Sequence, residues 1–168
     1  MITVRAEAAA DIPAAHRVNE LAFGRPGEAD LVDALRVAAR PYISLVAIDE
    51  GQVVGHIFFS PVTLEAADSA CTLLGLAPMA VLPEYQRRGI GSQLVRAGLE
   101  ECRRIGCDAV VVLGHPGYYP RFGFVPASRM GLRCEYPVPD EVFMVAELRP
   151  NALSRQGLVK YRPEFAKV

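Results

Sequence analysis

Net charge is nearly absent from this sequence. Eighteen Lys and Arg stand against nineteen Asp and Glu, a formal charge of −1, so no global field draws the chain to nucleic acid or to an anionic membrane. Long apolar runs are missing as well. Nothing approaches the roughly 18 consecutive apolar residues of a membrane span, and the first residues lack the basic start, apolar stretch and small-residue cleavage site of an export leader. The cytoplasm is therefore the expected compartment. The four cysteines (Cys71, Cys102, Cys107, Cys134) form no C-x-x-C and have no histidine at ligand spacing. They read as reduced, mostly buried small residues, and no metal is expected. Internal repeats and low-complexity segments are lacking too.

What is present suffices for one packed domain: 51% of the 168 residues are hydrophobic and 22% charged, ordinary values for a globular chain. Residues 1–149 are expected to form that domain, with residues 150–168 a tail packed on it. Ile2 and Val4 alternate with polar neighbours as a short strand. Asp11 stands where an N-cap belongs, with Pro13 in the first turn, and Ala14/Ala15, Val18 and Leu21/Ala22 repeat at helical spacing over 12–23. After the break Gly24-Arg25-Pro26-Gly27, a second helix from Glu28 puts Leu31, Val32, Leu35 and Ala38/Ala39 on one face, and Pro41 stops it.

A hairpin follows, with strands 43–48 and 53–59 around the turn residues Asp49-Glu50-Gly51. Pro61 and the polar stretch 65–69 lead to the apolar run 71–81. Three strands joined by short loops pair antiparallel. The helix after residue 89 carries an apolar stripe of Ile90, Leu94, Gly98, Cys102 and Ile105, widened by Val95, and Gly106 ends it. The strand 108–113 then returns through a helical crossover, so it runs parallel to the strand before the helix. Residues 142–148 form a further strand, and 158–161 add an edge. The order implies an α/β (α+β) fold: a mixed, mostly antiparallel sheet with one parallel β-α-β step and helices on both faces.

The segment with the most chemistry is Gln86-Arg87-Arg88-Gly89-Ile90-Gly91, between the run 71–81 and the central helix. Helix-initial N–H groups and the helix dipole favour an anion there, glycine lets a ligand approach the backbone, and two arginines add charge. By itself the segment is equally compatible with an ordinary strand-to-helix turn carrying solvated arginines. It is not a P-loop, since no Lys-Ser or Lys-Thr follows the last glycine, and no G-x-G-x-x-G precedes a crossover.

With its flanks the segment says more. The run 76–81 followed by Pro83, the Gln-Arg-Arg-Gly-Ile-Gly turn, the amphipathic helix, the apolar strand and then Tyr118-Tyr119-Pro120-Arg121-Phe122-Gly123-Phe124 resemble the GNAT superfamily of N-acetyltransferases. The details Val112-Leu113-Gly114-His115-Pro116 resemble a subgroup of small bacterial acetyltransferases of undefined substrate. The resemblance covers residues 2–149 and implies acetyl-CoA as donor. Its pyrophosphate would lie on Arg88, Gly89, Ile90, Gly91 and Ser92 with Arg87 alongside, and its pantetheine arm along Met79, Ala80 and Val81. Pro78 fits a bulged or opened strand.

Tyr119 matches the family's proton donor to the departing thiolate; its other reading is an aromatic bracing the turn at Gly123. Glu84, Glu28, His56 and His115 are the available general bases, and none stands in a diagnostic pattern. The acceptor is an unidentified small-molecule or peptide amine. The segments expected to receive it (the first two helices with the joint 24–27, the turn 65–69 and the C-terminal strands) carry neither a strong acidic cluster nor a basic patch. A homodimer is compatible with the family. The competing reading is a non-catalytic acyl-CoA-binding or regulatory module of the same fold.

Overall fold

The computed structural model describes residues 1–65, 71–153 and 156–168; beyond Glu65, the expected turn at 65–69 lies outside the described residues. In chain order the elements are β1 (Ile2–Ala6), α1 (Ile12–Phe23), α2 (Gly27–Ala38), β2 (Ile43–Asp49), β3 (Gln52–Glu65), β4 (Leu73–Val81), α3 (Ile90–Arg104), β5 (Ala109–Leu113), β6 (Val125–Pro126), β7 (Leu132–Cys134), β8 (Phe143–Glu147) and β9 (Gly157–Lys160). Short 3-10 turns punctuate them, including Ala9–Asp11 and Tyr119–Phe122. No helix among the described residues is long and apolar enough to cross a membrane. Two compact units result. One comprises Met1–Ser60, Ala77–Gly98 and Pro163–Val168; the other comprises Pro61–Leu76 and Leu99–Arg162.

In the first unit β1, β2 and β3 form an antiparallel meander, with Ile2 opposite Asp49 and Ile43 opposite Phe59. The period-2 alternation of β3 decides what each side meets. Phe58 packs with Leu31, Val32, Leu35 and Ala39 of the α2 region, while Tyr42 stacks on it at 5.1 Å and Phe165 adds to the cluster. Gly55 and Phe59 point the other way, to α3: a Cβ on Gly55 would stand 3.1 Å from Leu94 and 3.3 Å from Ile90. Helices thus cover both faces of β3, as the apolar patterning requires.

Asp11 does not cap α1 with its side chain. Its carboxylate takes the Ala8 N–H at 2.7 Å and Arg5 at 2.6 Å, closing the 3-10 turn ahead of the helix instead. Two apolar residues expected inside are outside: Leu21 is 47% exposed, and Ala38 faces solvent while Ala39 is buried.

The stripe of α3 holds through Cys102 and fails at Ile105, which is 40% exposed. The reason is the helix end. Gly106, at φ +85°, donates to Arg103 C=O at 3.0 Å, and Cys107 donates to Cys102 C=O at 3.0 Å. This paired closure turns the chain before Ile105 can complete the stripe. Glu101, within the apolar arc by spacing, is held at the surface by Arg104.

Gly98 explains why a glycine sits inside the longest helix. A Cβ there would stand 2.4 Å from both Cε1 and Cζ of the fully buried Phe59. Gly98→Ala gains about 1 kcal/mol of helix propensity but overpacks a rigid ring. We expect a net loss of about 2 kcal/mol, a fall of about 4–8 °C in Tm. Thermal unfolding checks this, and Phe59→Leu in the same chain should recover most of the loss.

In the second unit β5 is central. It runs parallel to β4 over Leu73–Ala109, Leu74–Val110 and Gly75–Val111, and antiparallel to β8, which in turn pairs with β6. This is the expected β-α-β step. A second parallel ladder, β7 with β9, was not foreseen; β9 also pairs antiparallel with the end of β3. Asp108 ties the start of β5 in place, accepting the Thr72 N–H at 2.8 Å and pairing with Arg149.

Candidate functional site

In the first unit the chain leaves β4 through a loop built to expose backbone amides. Leu82 N–H returns to Val54 C=O at 2.9 Å, and the Gln86 side-chain amide donates to Val81 C=O at 2.9 Å, so both ends of the turn are fixed to strands. Arg87 (φ +65°) and Gly89 (φ +80°) both take left-handed backbone. For arginine this conformation costs about 1–2 kcal/mol, strain of the kind found at ligand loops. The first hydrogen bond of the helix runs from Gln93 N–H to Gly89 C=O at 3.1 Å. The amides of Ile90 and Gly91 therefore precede any intrahelical acceptor.

No acidic side chain lies in the first turn of α3, so the positive end of its dipole is uncompensated there. Arg87 and Arg88 are exposed, and the Arg88 guanidinium lies 5.1 Å over the Tyr85 ring, which aims it without neutralising it. Upstream, Met79 and Val81 are half-buried while Pro78 and Ala80 are buried, leaving one side of the strand partly open.

Tyr119 belongs to the second unit, at the start of the turn Tyr119–Phe122, which Gly123 closes at φ +97°. Its ring is 8% exposed and meets Phe124 edge-on at 5.6 Å and Tyr118 at 5.1 Å. Its hydroxyl has no hydrogen-bond partner among the described residues, yet is not sealed from solvent. Burial pushes its pKa up to about 12, with Tyr118 adding to the rise. The group is thus a neutral phenol with a free proton at ordinary pH.

Gly114 also shapes this site, although sequence reasoning missed it. A Cβ at Gly114 would stand 2.3 Å from Tyr119 Cε2, so the ring rests directly on this backbone. The available signal was a glycine just past an apolar strand and five residues before the tyrosine.

The four candidate bases separate clearly. Glu84 and His115 are exposed. Glu28 is buried and held by Arg25 through bonds of 3.0 and 2.5 Å. His56 is fully buried beneath α1 and α2. Asn19 Nδ2 donates to His56 Nδ1 at 3.1 Å, so the proton sits on Nε2 and is donated to Ser44 Oγ at 2.8 Å. Burial, reinforced by Arg36, pushes its pKa down to about 3.

A histidine kept neutral in the fold but free to charge in the unfolded chain destabilises the native state in acid. The stability it permits is complete above pH 6.5 and is lost as pH falls from 6.5 toward 3, by up to about 1.4 kcal/mol per pH unit. Denaturant titrations from pH 7 to 4 should show this slope, and His56→Asn should flatten it even though the variant starts less stable.

Another cluster escaped sequence reading. His16, Asp30 and Asp33 bring ligand atoms within 4.8 Å of one another. His16 Nδ1 meets Asp33 at 2.8 Å, and Asp33 also takes Arg36 at 2.8 Å, so two of the three side chains are already engaged with partners.

Residues 3–127 match the family model described as the acetyltransferase (GNAT) domain. The uncharacterized N-acetyltransferase YjhQ of Escherichia coli K12 is 45% identical over 149 residues, 85% of this chain and 82% of that protein. The crystal structure of the GNAT family N-acetyltransferase YhbS from Escherichia coli, solved in complex with CoA, superposes with a TM-score of 0.90 at 37% identity, covering 98% of this chain and 92% of that one. A GNAT family acetyltransferase from Brucella melitensis, solved in complex with acetyl-CoA, gives a TM-score of 0.80 at 36% identity with 98% of both chains covered.

Proposed function

The chain belongs to the GNAT acetyltransferase family, and on that premise we propose that it transfers an acetyl group from acetyl-CoA to a primary amine of a small molecule or peptide, by direct attack in a ternary complex. The observation that carries this is the loop at residues 86–91: strained, tied to strands at both ends, and opening on helix amides with an uncompensated dipole. The donor's pyrophosphate takes Arg88, Gly89, Ile90, Gly91 and Ser92, with Arg87 adding charge. Its pantetheine arm follows Met79, Ala80 and Val81 as an added strand would.

The neutral amine attacks the thioester carbonyl, and the backbone near Met79 meets the oxyanion. The former amine nitrogen gives up its proton to solvent as the C–S bond breaks, Tyr119 protonates the thiolate, and solvent reprotonates the phenolate. Residues 1–149 serve as the transferase domain, with 150–168 as a tail packed on it. The relatives solved with CoA and acetyl-CoA support the choice of donor.

One observation favours a second reading, a non-catalytic acyl-CoA-binding module: neither the buried His56 nor the ion-paired Glu28 is placed as a base. Two measurements separate the readings. Acetyl-CoA should raise Tm and saturate below millimolar concentration; no shift at millimolar ligand rejects both. An amine panel followed by free-thiol release should show turnover, and binding without any amine-dependent thiol favours the module.

A further inference from the structure

We propose that the first unit carries a second ligand site, for a small zwitterion with an ammonium, a carboxylate and a short apolar body, such as an amino acid. The site is a pocket of about 470 Å³ bounded on one side by Ala14, Arg17, Val18 and Leu21 of α1 and on the other by the hairpin end at Val53 and by Glu84 after β4. That volume suits a small molecule, and the apolar side chains give it a floor. Leu21, left 47% exposed at its edge, is the aliphatic residue that an apolar ligand would cover.

The charges define the ligand. Three ionisable groups line the pocket: Asp11, Arg17 and Glu84. Asp11 is already neutralised, bound by Arg5 at 2.6 and 3.1 Å and by the Ala8 N–H. Arg17 and Glu84 make no ion pair or hydrogen bond among the described residues. One guanidinium and one carboxylate are therefore available. A singly charged ligand engages one and leaves the other to water, whereas a zwitterion engages both. The guanidinium fork takes the carboxylate bidentately, and Glu84 takes the ammonium. Neither group lies within the donor loop at residues 86–91, and Glu84 serves here as a ligand-binding carboxylate rather than as a base.

The test uses the full chain without acetyl-CoA and three probes of one apolar shape: L-leucine, L-leucinamide lacking the carboxylate, and 4-methylpentanoate lacking the ammonium. Calorimetric or NMR titration should show leucine binding at least about tenfold tighter than either. Arg17→Gln should remove the preference over leucinamide, and Glu84→Gln the preference over 4-methylpentanoate. Both residues are exposed, so an unchanged Tm should confirm that the variants fold. Equal binding of all three probes, preferences that survive both substitutions, or no saturation by about 10 mM overturns the assignment. Because no donor is present, these outcomes are independent of the thiol-release assay.

Discussion

Tyr119→Phe lowers kcat for amine acetylation by about 10²-fold or more and leaves acetyl-CoA affinity unchanged. The substitution removes one oxygen from a ring whose contacts with Phe124, Tyr118 and the Gly114 backbone are all made by carbon. The hydroxyl has no internal partner among the described residues, so its loss strands no buried group and the fold should keep its Tm. What disappears, on the proposed mechanism, is the proton for the thiolate. The pH profile sharpens the point. A donor must stay protonated, and burial pushes this phenol up to about 12. The wild-type rate should therefore show no descending limb from this residue below about pH 10. Steady-state kinetics with the best amine of the panel checks both statements. A variant that retains full kcat removes Tyr119 from the chemistry.

Glu7→Ala costs about 3 kcal/mol of folding stability. Glu7 and Arg36 are an almost fully buried pair, 4% and 8% exposed, joined by two bonds of 2.5 and 3.0 Å. Removing the carboxylate leaves the guanidinium with only Asp33, which is 46% exposed, and beside the neutral His56. Arg36→Met is the mirror case: Glu7 then faces His56 Nε2 at 3.7 Å without its main partner, and His56 becomes easier to protonate. Breaking one side of a buried pair is costly because the other charge stays buried, whereas replacing both removes the problem. The double variant Glu7→Leu with Arg36→Met should therefore lose less than either single variant. Denaturant midpoints measure the cycle, and strictly additive losses would show that the pair is not coupled.

These residues also show where sequence reading stops. The hairpin at Asp49-Glu50-Gly51, the apolar face of α3 and the glycine-bearing loop were legible because each is a local pattern: turn chemistry, a 3.6-residue period, a helix start. Glu7, Arg36 and His56 were not, since a charged residue on an amphipathic helix reads as solvated unless its partner is known, and here the partner lies 29 residues away. The same holds for Gly114, whose importance is a single close approach by Tyr119. Ile105 failed for a different reason: periodicity extends a helix indefinitely, while the closure at Gly106 ended it one residue too soon. In the loop at residues 86–91 the type and order of residues were readable, but the left-handed turn at Arg87 was not, because arginine carries no propensity for it.

The order in which the two units are threaded bears on how the chain is made. The first unit is assembled from Met1–Ser60, Ala77–Gly98 and Pro163–Val168, and its α2 core takes Phe165 from the last of these segments. On the ribosome α2 emerges early, Phe58 follows soon after, and one further residue packed on the α2 face is synthesised long afterwards. All five buried members of that cluster lie at or before Phe58, so Phe165 adds a last, partly buried cover only once translation reaches the C-terminal segment.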